Sequence, residues 1–280
     1  AITIGNHDLD YGVDYLKKQL EESGLSDIVI SSNVKNVNTR QSEWNETMII
    51  EKKIKDENGK NVTVKVGLLG VVVPKLSSKT EDYTGVLETE DIVANAQKEA
   101  AKLKAEGADI IVALSHSGFG DEVPDEKAKN ASYALTKVEE IDVVLCGHEH
   151  NAFPSSDTAA ASYYNLSGVD KKTGLVNGKV LLMSKDRGRS IGVSDLVLKI
   201  TKDGTVSIQK ASGEIRLVTP ETPAVSKING KKGMGEWDKV LKGMAEENDV
   251  TATVKEGSSL NNYFGIIKDN NAIQVFNDAK

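Results

Sequence analysis

The chain has 280 residues, 39% of them hydrophobic and 28% charged, a globular composition long enough for one large α/β domain with a full core. Lys and Arg number 35 against 42 Asp and Glu, and the net charge of -7 argues against a general binder of nucleic acid or anionic membrane, though not against a small anionic substrate held beside a metal ion. No stretch reaches the roughly 18 apolar residues of a membrane span, and the single cysteine, Cys146, excludes a disulfide within the chain.

Strand-like and helix-like patterns alternate through residue 150, which predicts a layered α/β architecture. Ala1-Ile2-Thr3-Ile4 reads as the last half of a strand, so further sequence is expected before it. Val13 to Glu22 carries Val13, Leu16 and Leu20 at helical spacing, with Gly24 as a stop. Ile28 to Val34 reads as a short buried strand. Met48 to Ile54 and Val62 to Val72 flank Asp56-Glu57-Asn58-Gly59-Lys60 and read as a hairpin, with the second strand apolar enough for a central position. Asp91 to Glu106 is a long amphipathic helix, presenting Ile92, Ala96, Ala100 and Leu103 on one face. Asp109 to Leu114 is a strand running into His116, a second helix is expected over Asp125 to Val138, and Ile141 to Leu145 is a strand running into His148. Cys146 ends that run and reads as a buried strand residue. Lys179 to Met183, Gly192 to Ile200 and Val206 to Ile208 are further strands, with Asp203-Gly204 as a turn. From residue 219 the composition shifts to Pro, Thr, Gly and Lys. A linker to about residue 235 and helices over Trp237 to Glu247 and Asn270 to Lys280 are expected there.

All four histidines fall in three short motifs: Gly5-Asn6-His7-Asp8, Ser115-His116-Ser117-Gly118 and Gly147-His148-Glu149-His150. Imidazole donors delivered from several strand ends are what a metal site needs, and ligands at the carboxyl ends of sheet strands converge on one crevice. Two histidines at spacing two on an extended segment point to opposite faces, so His148 and His150 can both reach metal only if the chain turns after the strand. Asn6 adds an amide oxygen. Alone, Gly-Asn is equally a turn, and His116 equally a core histidine. Together the donors are N and O without thiolate, which suits Zn, Mn, Fe or Co.

Gly-Asn-His-Asp, a lone His before Ser-Gly, and Gly-His-x-His, in this order, resemble the calcineurin-like dinuclear metallophosphoesterases. The string Gly5-Asn6-His7-Asp8-Leu9-Asp10-Tyr11-Gly12 is similar to the 5'-nucleotidase branch. Lys65 to Pro74, His148 to Pro154 and Asn270 to Ala279 look most like bacterial 2',3'-cyclic-nucleotide 2'-phosphodiesterase/3'-nucleotidases. The resemblance implies a metallophosphoesterase β-sandwich flanked by helices, and two divalent metal ions. It implies that Asn6, His116 and His148 ligate one ion and His150 the other, that His7 is the catalytic imidazole, and that Asp10 pairs with it. Asp8 is expected to be structural. The implied substrate is a nucleotide or cyclic nucleotide, not a nucleic acid polymer, and the implied protein is an exported monomer of the periplasm or cell wall.

Two family features are missing from these residues. Asp-x-His and Gly-Asp, which supply the other ligands of the first ion, have no counterpart, and a nucleotide-binding domain usually follows. The expected organisation is therefore a metallophosphoesterase domain over residues 1–218 without its first motifs, then a linker and helical segment over 219–280. By itself this polypeptide is expected to bind metal weakly and to turn over little. A 5'-nucleotidase or broader phosphoesterase, and an inactive fragment or non-catalytic binding protein, remain alternatives. Trp44, Tyr163, Tyr164 and Trp237 are expected to be packing or loop residues and not a base platform.

Overall fold

The computed structural model describes residues 1–77, 83–125, 128–155, 162–201 and 203–218. The chain divides into two compact units, Ala1–Asp186 with Ser190–Arg216, and Arg187–Arg189 with Leu217–Lys280. The linker and the two helices expected beyond residue 219 lie outside the described residues, as does Trp237.

The first unit is organised by a seven-stranded mixed sheet. Its strands are β2 (Thr47–Lys55), β3 (Asn61–Val72), β5 (Ile110–His116), β6 (Val143–Cys146), β7 (Val169–Asp170), β8 (Leu175–Val176) and β9 (Lys179–Met183), in the order β2-β3-β5-β6-β9-β8-β7. The four central strands β3, β5, β6 and β9 run parallel, with Val72 opposite His116, Ser115 opposite Cys146 and Cys146 opposite Met183. All four thus end on the same side of the sheet. The remaining strands form two-stranded ribbons: β1 (Val34–Asn36) with β4 (Leu87–Thr89), and β10 (Ser190–Ile200) with β11 (Val206–Leu217). Among the described residues the α-helices are α1 (Val13–Glu22), α2 (Ile92–Ala105) and the single turn α3 (Ser132–Leu135).

Local chemistry explains most of these boundaries. The β2–β3 hairpin pairs Thr47 with Leu69 through Lys55 with Asn61, and Asp56 Oδ1 closes its loop by accepting from the amides of Asn58 and Lys60. The carboxylate of Asp91 caps α2 by accepting from Ala94 N at 2.7 Å, satisfying one of the four orphan donors of the first turn. Parallel strands buried on both faces alternate two apolar sets. Ile111, Ala113, Val144, Leu181 and Met183 join the core that includes Ile92, Ala96, Ala100 and Leu103 of α2. Val143, Val180 and Leu182 join Leu196 of β10 and Ala211 and Ile215 of β11 on the opposite face. The layers are helix, sheet and ribbon, the layered α/β arrangement expected from the alternation.

Two elements differ from the sequence reading. Ile28 to Val34 is not a continuous strand. A 3-10 turn spans Ser26–Ile28, single bridges join Ile2 to Val29 and Ile30 to Asn45, and only Val34 starts a ladder. The buried polar run adds side-chain bonds to its scattered backbone contacts with β3: Ser32 N and Oγ both donate to Gly70 O, Asn33 Nδ2 donates to Val72 O, and Asn33 Oδ1 accepts from Val72 N. The helix expected over Asp125 to Val138 shrinks to α3, with residues 126 and 127 outside the described set. Residues 129–132 are instead tied to the end of β5. Ser117 Oγ donates to Lys129 O and accepts from Ala131 N, and Ser132 Oγ donates to Ser117 O. Those bonds consume the groups a helix would have used.

Candidate functional site

The carboxyl ends of the parallel strands carry the chemistry. His116 is the last residue of β5, Gly147 to His150 follow β6, Leu76 and Ser77 follow β3, and Asp186 follows β9. The Gly5-Asn6-His7-Asp8 segment meets them from the amino-terminal side. It is preceded by the lone bridge at Ile2 and not by a strand ladder, and successive turns shape it: Asp8 N donates to Gly5 O, Asp10 N to His7 O and Gly12 N to Leu9 O.

Asn6 and His116 lie 110 residues apart in sequence, yet Asn6 Oδ1 is 2.9 Å from His116 Nε2. The absence of a side chain at Gly5 makes this possible. A Cβ there would sit 2.7 Å from Cε1 of the His116 ring, closer than real Cβ contacts come. Asp8 Oδ2 accepts from Gly5 N at 2.6 Å and so braces the turn, the structural part expected of it. The rings of His116 and His148 meet edge to face with centroids 5.4 Å apart.

His148 and His150 both have left-handed backbone, with φ of 72° and 63°. This is the turn after the strand that the His-x-His spacing required, and it is strained for non-glycine residues. Glu149 between them holds it. Its Oε2 accepts from Phe119 N at 2.8 Å and its Oε1 from Asn130 Nδ2 at 2.9 Å, while Asn130 Oδ1 accepts from Gly118 N at 3.2 Å. A Cβ at Gly118 would overlap both Asn130 and Glu149, so glycine is needed for the two loops to meet. Phe119 itself packs edge to face against Phe153 and Tyr164, at 5.0 and 5.1 Å, in the buried core. Tyr164 is thus a packing residue, and Trp44 packs against the cluster around Leu9.

Electrostatics sort the histidines. Burial, reinforced by His150, Lys129 and His7, holds His148 below the usual imidazole range, so it presents a neutral ring with a free lone pair. His7 is half exposed, and its Nδ1 lies 2.8 Å from Oδ2 of Asp10, whose side chain is only 3% exposed. His150 Nδ1 is 3.7 Å from Oδ2 of the half-buried Asp186. Burial pushes the Cys146 thiol up to about 12, with Glu149 adding to the rise and Ser132 opposing it, which leaves no thiolate to bind metal.

Asn6, His116 and His148 offer an amide oxygen and two imidazoles, a donor set that fits one borderline divalent cation. His150 with Asp186 at its flank does not make a second such set, and among the described residues no group of three or more His, Cys, Asp and Glu is placed to hold a metal. The sequence reading missed Ser77, Asn130, Glu149 and Asp186. Asp186 follows an apolar strand and could have been flagged by the strand-end rule, whereas Ser77 and Asn130 carry no local signal.

Residues 1–152 match the family described as calcineurin-like phosphoesterase. Over its whole length the chain is 31% identical to the trifunctional nucleotide phosphoesterase protein YfkN of Bacillus subtilis, of which it covers 18%. Over 99% of its length it is 30% identical to a 2',3'-cyclic-nucleotide 2'-phosphodiesterase/3'-nucleotidase of Yersinia enterocolitica, of which it covers 41%. The crystal structure of the B. subtilis YfkN phosphoesterase superposes with a TM-score of 0.70 at 32% identity, covering 79% of this chain and 64% of that one. The chain therefore spans less than half the length of these two relatives, and it belongs to the calcineurin-like phosphoesterase family.

Proposed function

We propose that the protein carrying this chain hydrolyses phosphoester bonds in nucleotides, as a 2',3'-cyclic-nucleotide 2'-phosphodiesterase and 3'-nucleotidase. The observation that carries this is that the His7–Asp10 pair directly follows Asn6, whose Oδ1 meets His116 while the His116 ring meets that of His148. The family and the similarity to the Yersinia enzyme over almost the whole chain support the substrate class.

A divalent cation of the Zn, Mn, Fe or Co type, held by Asn6, His116 and His148, would polarise a phosphoryl oxygen. The chain's own residues do the rest. With Asp10 Oδ2 accepting a hydrogen bond from His7 Nδ1, the half-exposed ring is held in one orientation and Nε2 is the nitrogen left for proton transfer. As water adds to phosphorus and the P–O2' bond breaks, Nε2 gives a proton to the departing ribose oxygen, and the proton shed by the water passes to solvent, from which the ring is reprotonated. The positive ring offsets charge on the equatorial phosphoryl oxygens. His150 is assigned to a second ion in this reading. The residues present do not complete that shell, and the isolated 280-residue chain is expected to bind metal weakly and turn over little.

The reading keeps residues 1–218 as the phosphoesterase domain and 219–280 as a linker and helical segment. It places the protein outside the cytoplasm as a monomer acting on small nucleotides. Among the described residues no helix is long and apolar enough to cross a membrane. The test is an assay of the full protein, with Mn or Zn supplied, on 2',3'-cyclic AMP, 3'-AMP and 5'-AMP. Faster turnover of the first two is expected. Preference for 5'-AMP selects the 5'-nucleotidase reading, supported by the Gly5-to-Gly12 string, and no hydrolysis of any of the three points to a non-catalytic binding protein.

A further inference from the structure

Asp10 has two carboxylate oxygens, and each has a partner in a different part of the chain. Oδ2 faces His7 Nδ1 at 2.8 Å, three residues away. Oδ1 accepts from the hydroxyl of Ser77 at 2.9 Å, 67 residues away, and that bond is buried. Ser77 is fully buried and Asp10 nearly so. We propose that Ser77 is a positioning residue for the His7–Asp10 pair: by holding Oδ1 it fixes the plane of the carboxylate, so that Oδ2 stays aimed at Nδ1 and the His7 ring keeps one orientation. The inference rests on the reading of His7 as the proton donor, and extends it to a residue that no sequence motif marks.

The surroundings make Ser77 a rigid support. It directly follows Leu76, fully buried in the same cluster as Leu9, which lies within the His7–Asp10 turn, and Val13, which follows it. The segment leading to it is bonded to the site from several sides. Val73 N donates to His116 O at 3.1 Å, Asn33 brackets Val72 through both its amide and its carbonyl, and Thr89 Oγ1 donates to Pro74 O at 3.3 Å. The Ser77 hydroxyl is thus delivered by a strand end already bonded to the His116 strand. A buried carboxylate free to rotate about its Cβ–Cγ bond would instead sample orientations in which neither oxygen meets the ring.

Because the chain has four histidines, all can be followed separately by NMR after selective 15N-histidine labelling. In Ser77→Ala the His7 ring signals are expected to move and its Nδ1 proton to exchange faster, while those of His116, His148 and His150 stay in place. Ser77→Thr, which keeps the hydroxyl, is expected to restore them. Unchanged His7 signals in Ser77→Ala would overturn the proposal, and so would equal movement of all four histidines in both variants, because Ser77 would then serve the fold in general. This measurement reads ring orientation without substrate and stands whether or not the protein is a phosphoesterase. In the full protein, loss of one charge-assisted hydrogen bond should lower kcat about tenfold with KM little changed. A rise in KM at constant kcat would place Ser77 in substrate binding instead.

Discussion

At the scale of the residue, the site separates groups that face substrate from groups that hold them in place. His7 is half exposed and its partner Asp10 is buried, which is the division a proton donor and its orienting base require. In the full protein loaded with metal, His7→Ala is expected to lower kcat by about 10²–10⁴-fold. Asp10→Asn should produce a loss of the same kind, since the amide cannot accept from Nδ1–H as a carboxylate does. Steady-state kinetics with metal content measured in parallel checks both, and a loss of bound metal in either variant would reassign the residue. Glu149 is the support on the opposite side. Its two bonds hold the left-handed residues on either side of it and the Gly118 loop together. Glu149→Ala should weaken metal affinity by about 10–100-fold, the usual cost of losing an outer-shell partner, as read by competition with a chromogenic chelator.

At the scale of the element, charged side chains join pieces that the sheet does not hydrogen-bond. Lys35 of β1, only 6% exposed, donates to Glu46 Oε1 at 2.6 Å and to Ser42 Oγ at 2.7 Å, and Lys102 of α2 approaches Glu46 Oε2 at 3.4 Å. Burial alone would raise the Glu46 carboxyl, but the bonds from Lys35 and Ser42 and the charges of the lysines outweigh it and bring it down to about 2. A carboxylate lowered in the folded state stabilises the fold above its unfolded value and loses that contribution as the pH falls toward its folded value. Glu46→Gln should therefore be less stable than the parent near neutral pH, and the gap should close between about pH 4.5 and about pH 2. Urea titrations at neutral pH and at pH 3 check this. A gap independent of pH would mean that the group is held by packing alone. The effect will be modest, because Glu46 is partly exposed and solvent screens the pair.

At the scale of the whole molecule, the aromatic cluster beneath the site links catalysis to the core. Phe119 is fully buried against Tyr133, Phe153 and Tyr164, and its amide donates to Glu149. Phe119→Ala should cost about 3–5 kcal/mol through the cavity it leaves, measured by denaturant unfolding. Because the same residue anchors the His148–His150 turn, metal affinity should fall with stability. If stability falls and affinity does not, the turn is held by Glu149 and Asn130 without the core.

The sequence by itself determined the parts whose signal is local. The spacing in α1, the hairpin at Asp56 to Lys60 and the apolar runs of β3, β5, β6 and β9 depend on neighbours a few residues away, and each was legible. The three histidine motifs were equally readable, and with them the family. In the segments that departed from expectation, long-range side-chain bonds decide the path: Ser32 and Asn33, within Ile28 to Val34, bond to the backbone of β3, and Ser117 claims backbone groups within Asp125 to Val138. Only the tertiary structure decided which groups touch: Asn6 against His116, the His148 ring against that of His116, His150 beside Asp186, and Ser77 against Asp10. The physical reason is the parallel sheet. Its strands are far apart in sequence but end side by side, so the site is assembled by strand register, which no local pattern encodes.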